Sequence, residues 1–123
     1  MFLRAVRGAI TVENNDADEI LQASQELLIE MVDRNAINID DITSIFFSMT
    51  TDLNAVYPAA SARNLGWTSV PLMCTNEINV PGSLKKCVRI MLYFNTEKKN
   101  TELMHIYLRK ARVLRPDLSS NRN

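Results

Sequence analysis

Residues 83–94 read SLKKCVRIMLYF, and the architecture turns on how they are taken. As a strand, the stretch sends Val88, Ile90, Leu92 and Phe94 to one face and Cys87, Arg89, Met91 and Tyr93 to the other, the period-2 pattern of a half-buried ladder. Arg89 then lies in mid-strand among apolar neighbours, although the chain has ample surface for its charges. A guanidinium in that position calls for either a structural partner or a ligand.

Upstream of it, TSVPLMCTNEINVPGS (68–83) reads as an irregular extended piece interrupted by Pro71 and Pro81. VYPAASARNLGW (56–67) carries Pro58, suited to a first helical position, and Gly66, suited to a C-terminal cap, so a short helix is predicted between them. ITSIFFSMT (42–50) predicts another strand. At the start of the chain, Phe2 to Val12 is rich in small and β-branched apolar residues and reads as a strand ending at ENND. Asp16 followed three residues later by Glu19 has the form of a capping box. Beyond it, Ile20, Leu21, Leu27, Leu28, Met31 and Val32 recur at helical spacings, which predicts about five turns at 3.6 residues each. The last part, NTELMHIYLRKARVLRPDL (100–118), fits both periods; a turn of helix followed by a strand is the expectation, with a fraying tail after Pro116.

Strands separated by helices and then followed by strands imply an α/β (α+β) domain with a small mixed sheet. Helices on one face leave the other to be covered, and packing against further subunits, as in a closed C3 ring, is one way to do so. The 123 residues amount to one domain, with no repeat or linker. Fourteen basic side chains balance fourteen acidic ones, so the whole chain has no field for nucleic acid or an anionic membrane. The apolar opening is interrupted by Arg4 and Arg7 and is too short for a signal-peptide core or a membrane span. Two cysteines, Cys74 and Cys87, fit a cytoplasmic protein better than a disulfide-stapled one. One histidine and no CxxC or HxxxH spacing give no metal site to expect.

Arg7 raises the same question as Arg89, since it follows Val6 and precedes GAITV. Each is either salt-bridged or a clamp for a small anion, whose carboxylate the planar guanidinium fork matches. Arg63 and Arg115 read first as exposed side chains whose stems lie over apolar surface. Glu77 is open to two roles, partner of a structural pair or acceptor for a substrate hydroxyl. Cys74 reads as a small hydrophobe rather than a nucleophile, and His105 as a solvated residue rather than a base. There is no Gly-rich phosphate loop, no GxSxG and no acid/base dyad, so any chemistry here should depend on charge placement.

In order and spacing, RAVRGAITVE (4–13), AVYPAASAR (55–63), VPLMCTNEINVPGSLKKCVRIM (70–91) and YLRKARVLRPDL (107–118) resemble the monofunctional AroH-class chorismate mutases. The resemblance implies a domain over residues 1–118 with a β-α-β-α-β-β core, a flexible tail at 119–123, and a barrel-like homotrimer with active sites between subunits. It implies the Claisen rearrangement of chorismate to prephenate, on the route to phenylalanine and tyrosine, with no cofactor or metal. By the same resemblance Arg89, Arg7 and Glu77 are catalytic: Arg89 sits at the ether oxygen, Arg7 on a carboxylate and Glu77 at the ring hydroxyl. Tyr107 would donate beside Arg7, Cys74 would lie near the ring hydroxyl, and Arg63 and Arg115 would draw in the dianion. Tyr57, Ala59, Met73 and Leu114 complete the substrate-binding set. Tyr57, Ala60 and Met73 depart from the Phe, Lys and Thr expected there, and the loop before Trp67 is one residue short. A non-catalytic trimeric anion-binding or regulatory protein on the same scaffold, and a trimeric enzyme for small imino or keto acids, are the competing readings.

Overall fold

The architecture follows from one ten-residue strand. In the computed structural model, which describes residues 1–114, β4 (Cys87–Thr96) has neighbours on both sides and forms the centre of a five-stranded sheet. It pairs antiparallel with β1 (Phe2–Thr11) on one side and with β2 (Ile42–Met49) on the other. The edges are parallel additions: β3 (Leu72–Asn76) beside β2, and the two-residue β5 (Ile106–Tyr107) beside β1. The result is a small mixed α+β sheet of order β3-β2-β4-β1-β5. The predicted alternation holds, with Val88, Ile90, Leu92 and Phe94 buried and Arg89, Met91 and Tyr93 only half-buried.

The buried face packs on α1 (Ala17–Arg34), whose Ile20, Ala23, Leu27, Leu28 and Met31 are fully covered. Asp16 caps this helix by accepting from the Glu19 N–H at 3.0 Å. Glu19 does not reach back to Asp16; its carboxylate accepts from the main chain and side chain of Asn14. α2 (Ala60–Asn64) is the short helix predicted between Pro58 and Gly66, and Gly66 takes the left-handed φ of +87° that ends it. Gly8 of β1 lies where α1 comes closest to the sheet. A Cβ there would stand 2.6 Å from the Met31 sulfur and 3.0 Å from a Leu27 methyl, with the Ile106 carbonyl at 3.3 Å. Gly8→Ala should therefore cost about 1–3 kcal/mol through overpacking, read as a lowered melting temperature.

One expectation is corrected and another holds only over a short span. The stretch after Trp67 is not merely irregular: Leu72–Asn76 forms β3, and Pro71 before it offers its carbonyl to Ile45 N. Proline is tolerated just before that strand because no ladder N–H is needed from it. The chain end keeps the expected order, a 3-10 turn at Asn100–Glu102 and then β5, but the strand is two residues long. Extended structure stops at Tyr107, Arg109 adopts a φ of +56°, and Arg109–Leu114 winds into a 3-10 helix. The cause lies in β1, which ends at Thr11: its carbonyl is taken by the Arg109 guanidinium and its hydroxyl by Lys110 N, so no ladder remains to extend. The 3-10 helix folds over the open face instead, where Ala111 joins Ala9, Cys87 and Tyr107 in a small second core, with Leu84 and Leu114 packed on it. Arg115 and the 119–123 tail lie outside the described residues.

Candidate active site

On the open face, strand register sets out the site. Tyr107 of β5, Ala9 of β1, Arg89 of β4, Ser48 of β2 and Thr75 of β3 are successive partners across the five strands. Directly paired residues project to the same side, so these five form one row. The neighbouring row contains Arg7, Met91, Phe46 and Met73. Arg7, Arg89, Phe46, Ser48 and Tyr107 help line a cavity of about 170 Å³.

Arg89 has a partner. Its Nε lies 2.8 Å from Oε1 of Glu77, the residue that follows β3, and both side chains keep some exposure, at 34% and 23%. The contact is a charge pairing rather than an aligned hydrogen bond, because Nε makes none. The other carboxylate oxygen of Glu77 accepts from the Ser48 hydroxyl. Thus Arg89 is both ion-paired and presented to open space, since Glu77 and Arg89 also border a larger depression of about 450 Å³. Arg7 differs: among the described residues its half-buried guanidinium has no acidic partner, while its main-chain N–H donates to His105 Nδ1. The Tyr107 hydroxyl is buried and unpartnered among the described residues, a state that costs free energy unless something arrives to accept from it.

Cys87 packs behind Arg89. Burial pushes its thiol from 9.0 up to about 11, with the Arg89 cation pulling the other way and Glu77 adding to the rise. The folded chain thus holds the neutral thiol, and the unfolded chain ionises first as pH rises. Stability from this group is complete below about pH 9 and is lost towards pH 11, a difference of about 3 kcal/mol. Urea unfolding should show that alkaline loss, and Cys87→Ala should flatten it.

The remaining predicted residues separate from this cluster. Cys74 pairs with Phe47, which is buried on the helix side, so its thiol leaves β3 on the side opposite the Glu77 carboxylate. It lines a different depression, of about 580 Å³, together with Tyr57. Tyr57 is 73% exposed there, whereas Ala59 is buried in the main core, so its methyl is not presented to a ligand. Arg63 is exposed on α2, and Met73 is exposed on the open face beside Phe46. Leu114 is half-buried over the second core. No cluster of three or more His, Cys, Asp or Glu able to hold a metal occurs among the described residues.

The chorismate mutase type I family model matches residues 3–118. The chain belongs to that family. It is 43% identical over 124 residues to chorismate mutase AroH of Bacillus subtilis (strain 168), a match spanning 100% of this chain and 98% of the relative. It is also 41% identical over 120 residues to chorismate mutase AroH of Thermus thermophilus, spanning 97% and 98% of the two chains. Among solved structures, the chorismate mutase from Clostridium thermocellum superposes with a TM-score of 0.88 at 54% identity, covering 89% of this chain and 98% of that one. Of the positions that the resemblance marked as departures, Tyr57 and Met73 are exposed and Ala60 opens α2. Ser48 is the contributor that sequence reading missed. The available signal was its place in β2, where strand alternation puts it on the same side as Phe46 rather than Phe47.

Proposed function

We infer that this chain is a chorismate mutase that catalyses the intramolecular Claisen rearrangement of chorismate to prephenate by electrostatic stabilisation of the transition state, in phenylalanine and tyrosine biosynthesis. The observation that carries the mechanism is the Arg89–Glu77 pair at the centre of the open sheet face, one row from a guanidinium that has no acidic partner among the described residues. The reaction breaks an ether C–O bond and forms a C–C bond within one molecule, so no proton, electron or leaving group has to be accepted. What the protein must supply is shape and charge. As the C–O bond lengthens ahead of C–C closure, negative charge grows on the ether oxygen, and the Nη groups of Arg89 are the donors for it. Glu77 holds Arg89 by Nε and keeps free lone pairs for the ring hydroxyl. Arg7 takes a carboxylate, with the Tyr107 hydroxyl beside it. These contacts hold the enolpyruvyl arm folded over the ring, which supplies the orientational part of the rate.

The working unit in this reading is a homotrimer. Arg7, Glu77, Arg89 and Tyr107 lie on the open face of a subunit, while Tyr57 and Cys74 border a separate depression of the same chain. One small substrate meets both groups if the Tyr57–Cys74 side of one subunit closes over the open face of the next. That arrangement also covers Phe46 and Met73, which are 38% and 57% exposed in the single chain. Arg63, and Arg115 in the tail, then serve to attract the dianion at the entrance, and Leu114 forms an apolar wall. No cofactor, nucleic acid or membrane enters this scheme. No helix among the described residues is long and apolar enough to cross a membrane, and the free Cys74 and Cys87 suit the cytoplasm.

The test is to measure the mass of the purified chain in solution and follow loss of the chorismate diene absorbance, with prephenate confirmed by its acid conversion to phenylpyruvate. A trimer that turns chorismate over supports the reading. A folded trimer without turnover would favour the anion-binding alternative, and a fully active monomer would remove the shared site.

A further inference from the structure

We propose that Ser48 is a positioning residue for the rearrangement, one that holds the Glu77 carboxylate so that Arg89 stays available to the substrate. The inference rests on the function proposed above and concerns a residue that touches neither the ether oxygen nor the carboxylates.

Glu77 needs an external restraint. It lies beyond the last residue of β3, and among the described residues its main chain is tied by one bond, from its N–H to the Met49 carbonyl at 2.8 Å. The loop that follows offers little to pack on it, with Ile78 at 87% and Val80 at 55% exposure. A free glutamate beside an arginine would turn to meet the guanidinium fork with both oxygens, the geometry that gives the strongest carboxylate pairs. That would occupy an Nη group and neutralise the cation whose charge the reaction uses. In the structure, Oε1 meets Arg89 at Nε, while Oε2 accepts from the Ser48 hydroxyl. Ser48 is well placed for this because it is anchored in β2, directly opposite Arg89 on one side and Thr75 on the other. Splitting the two oxygens between a neutral hydroxyl and Nε spares the Nη groups from a two-oxygen pairing with Glu77, and Arg89 lines the cavity. It also leaves acceptor capacity on Glu77 for a substrate hydroxyl.

The experiment compares the wild type, Ser48→Ala and Ser48→Thr, each alone and combined with Glu77→Gln. With Glu77 intact, Ser48→Ala should lower kcat by about tenfold to a hundredfold, the loss expected for a hydrogen bond to a charged group, with a smaller change in KM. Ser48→Thr, which keeps the hydroxyl, should recover most of that loss. With Glu77→Gln already present, Ser48→Ala should cost almost nothing more, because the two residues act as one unit. Nitrogen-15 spectra of the ligand-free chain add a readout that does not depend on turnover. Ser48→Ala should slow exchange of the Arg89 Nη protons as Glu77 swings onto them, and Ser48→Thr should not. An unchanged kcat in Ser48→Ala, an equal loss with and without Glu77→Gln, or unaltered Nη signals would overturn the proposal. A wild-type chain that ignores chorismate would instead count against the function, and the Nη signals would still decide the role of Ser48.

Discussion

Arg89→Ala is expected to leave a folded protein whose kcat has fallen by at least two to three orders of magnitude. A preorganised donor aimed at developing charge is worth about 3 kcal/mol or more, and a full cation at the ether oxygen lies at the upper end of that range. The structural cost is smaller. The substitution strands Glu77, but its side chain is 23% exposed, and Ser48 still donates to it. A partly solvated ion pair of this kind contributes about 1 kcal/mol or less, so the melting temperature should move little. Steady-state kinetics and a thermal melt on the same preparation separate the two effects. Arg89→Lys should fall between wild type and alanine, because it keeps the charge and loses the planar fork. A mutant that melts early, or dissociates, would make Arg89 chiefly a structural residue and would sink this mechanism.

Arg7→Ala should act on a different parameter. In the mechanism proposed Arg7 holds a substrate carboxylate, which carries the same charge in chorismate as in the transition state, so that contact is largely uniform binding and its loss appears mainly in KM. Removing one partner of a desolvated charge pair costs about 2–3 kcal/mol, which corresponds to roughly a 30-fold to 150-fold loss of kcat/KM. Because Arg7 has no acidic partner among the described residues, its removal strands nothing in the free protein, and stability should stay within about 0.5 kcal/mol of wild type. Michaelis curves at low and high salt, together with a melt, check both halves. A loss confined to kcat would place Arg7 at the reacting bond rather than at a carboxylate.

The parts of the fold that depend on local pattern were legible in the sequence. The alternation in Cys87–Thr96 survives as β4 because each apolar residue meets the helix-covered core, and Asp16 caps α1 where the sequence placed a cap. The parts that depend on a neighbour were not. Leu72–Asn76 has a weak strand composition and exists as β3 because β2 offers it an edge. The chain end fitted both periods, and the strand expected there stops after Tyr107 because β1 has run out of ladder at Thr11. In the site the same division holds. Arg7 and Arg89 stood out because a charge inside an apolar strand is anomalous. Ser48 did not, since a serine at an outward strand position looks like any solvated residue until Glu77 is seen against it. Nor was it evident, before Leu72–Asn76 was known to be a strand, that Cys74 and Glu77 project to opposite sides of the sheet and so do not share one face in a single chain. The assignment of each arginine to an atom of chorismate came from the family resemblance, because composition and spacing carry no information about a substrate.

In the mechanism proposed, Arg89 stabilises the transition state more than it stabilises bound chorismate. The sharpest check is the affinity of a stable oxabicyclic diacid, shaped like the transition state and carrying its ether bridge, for wild type and for Arg89→Ala, set beside the affinity for chorismate. An Arg89 that acts at the ether oxygen makes the bicyclic ether lose far more affinity than chorismate does, in step with the fall in kcat. Equal losses for the two ligands would mean that Arg89 merely binds substrate, and would contradict that role.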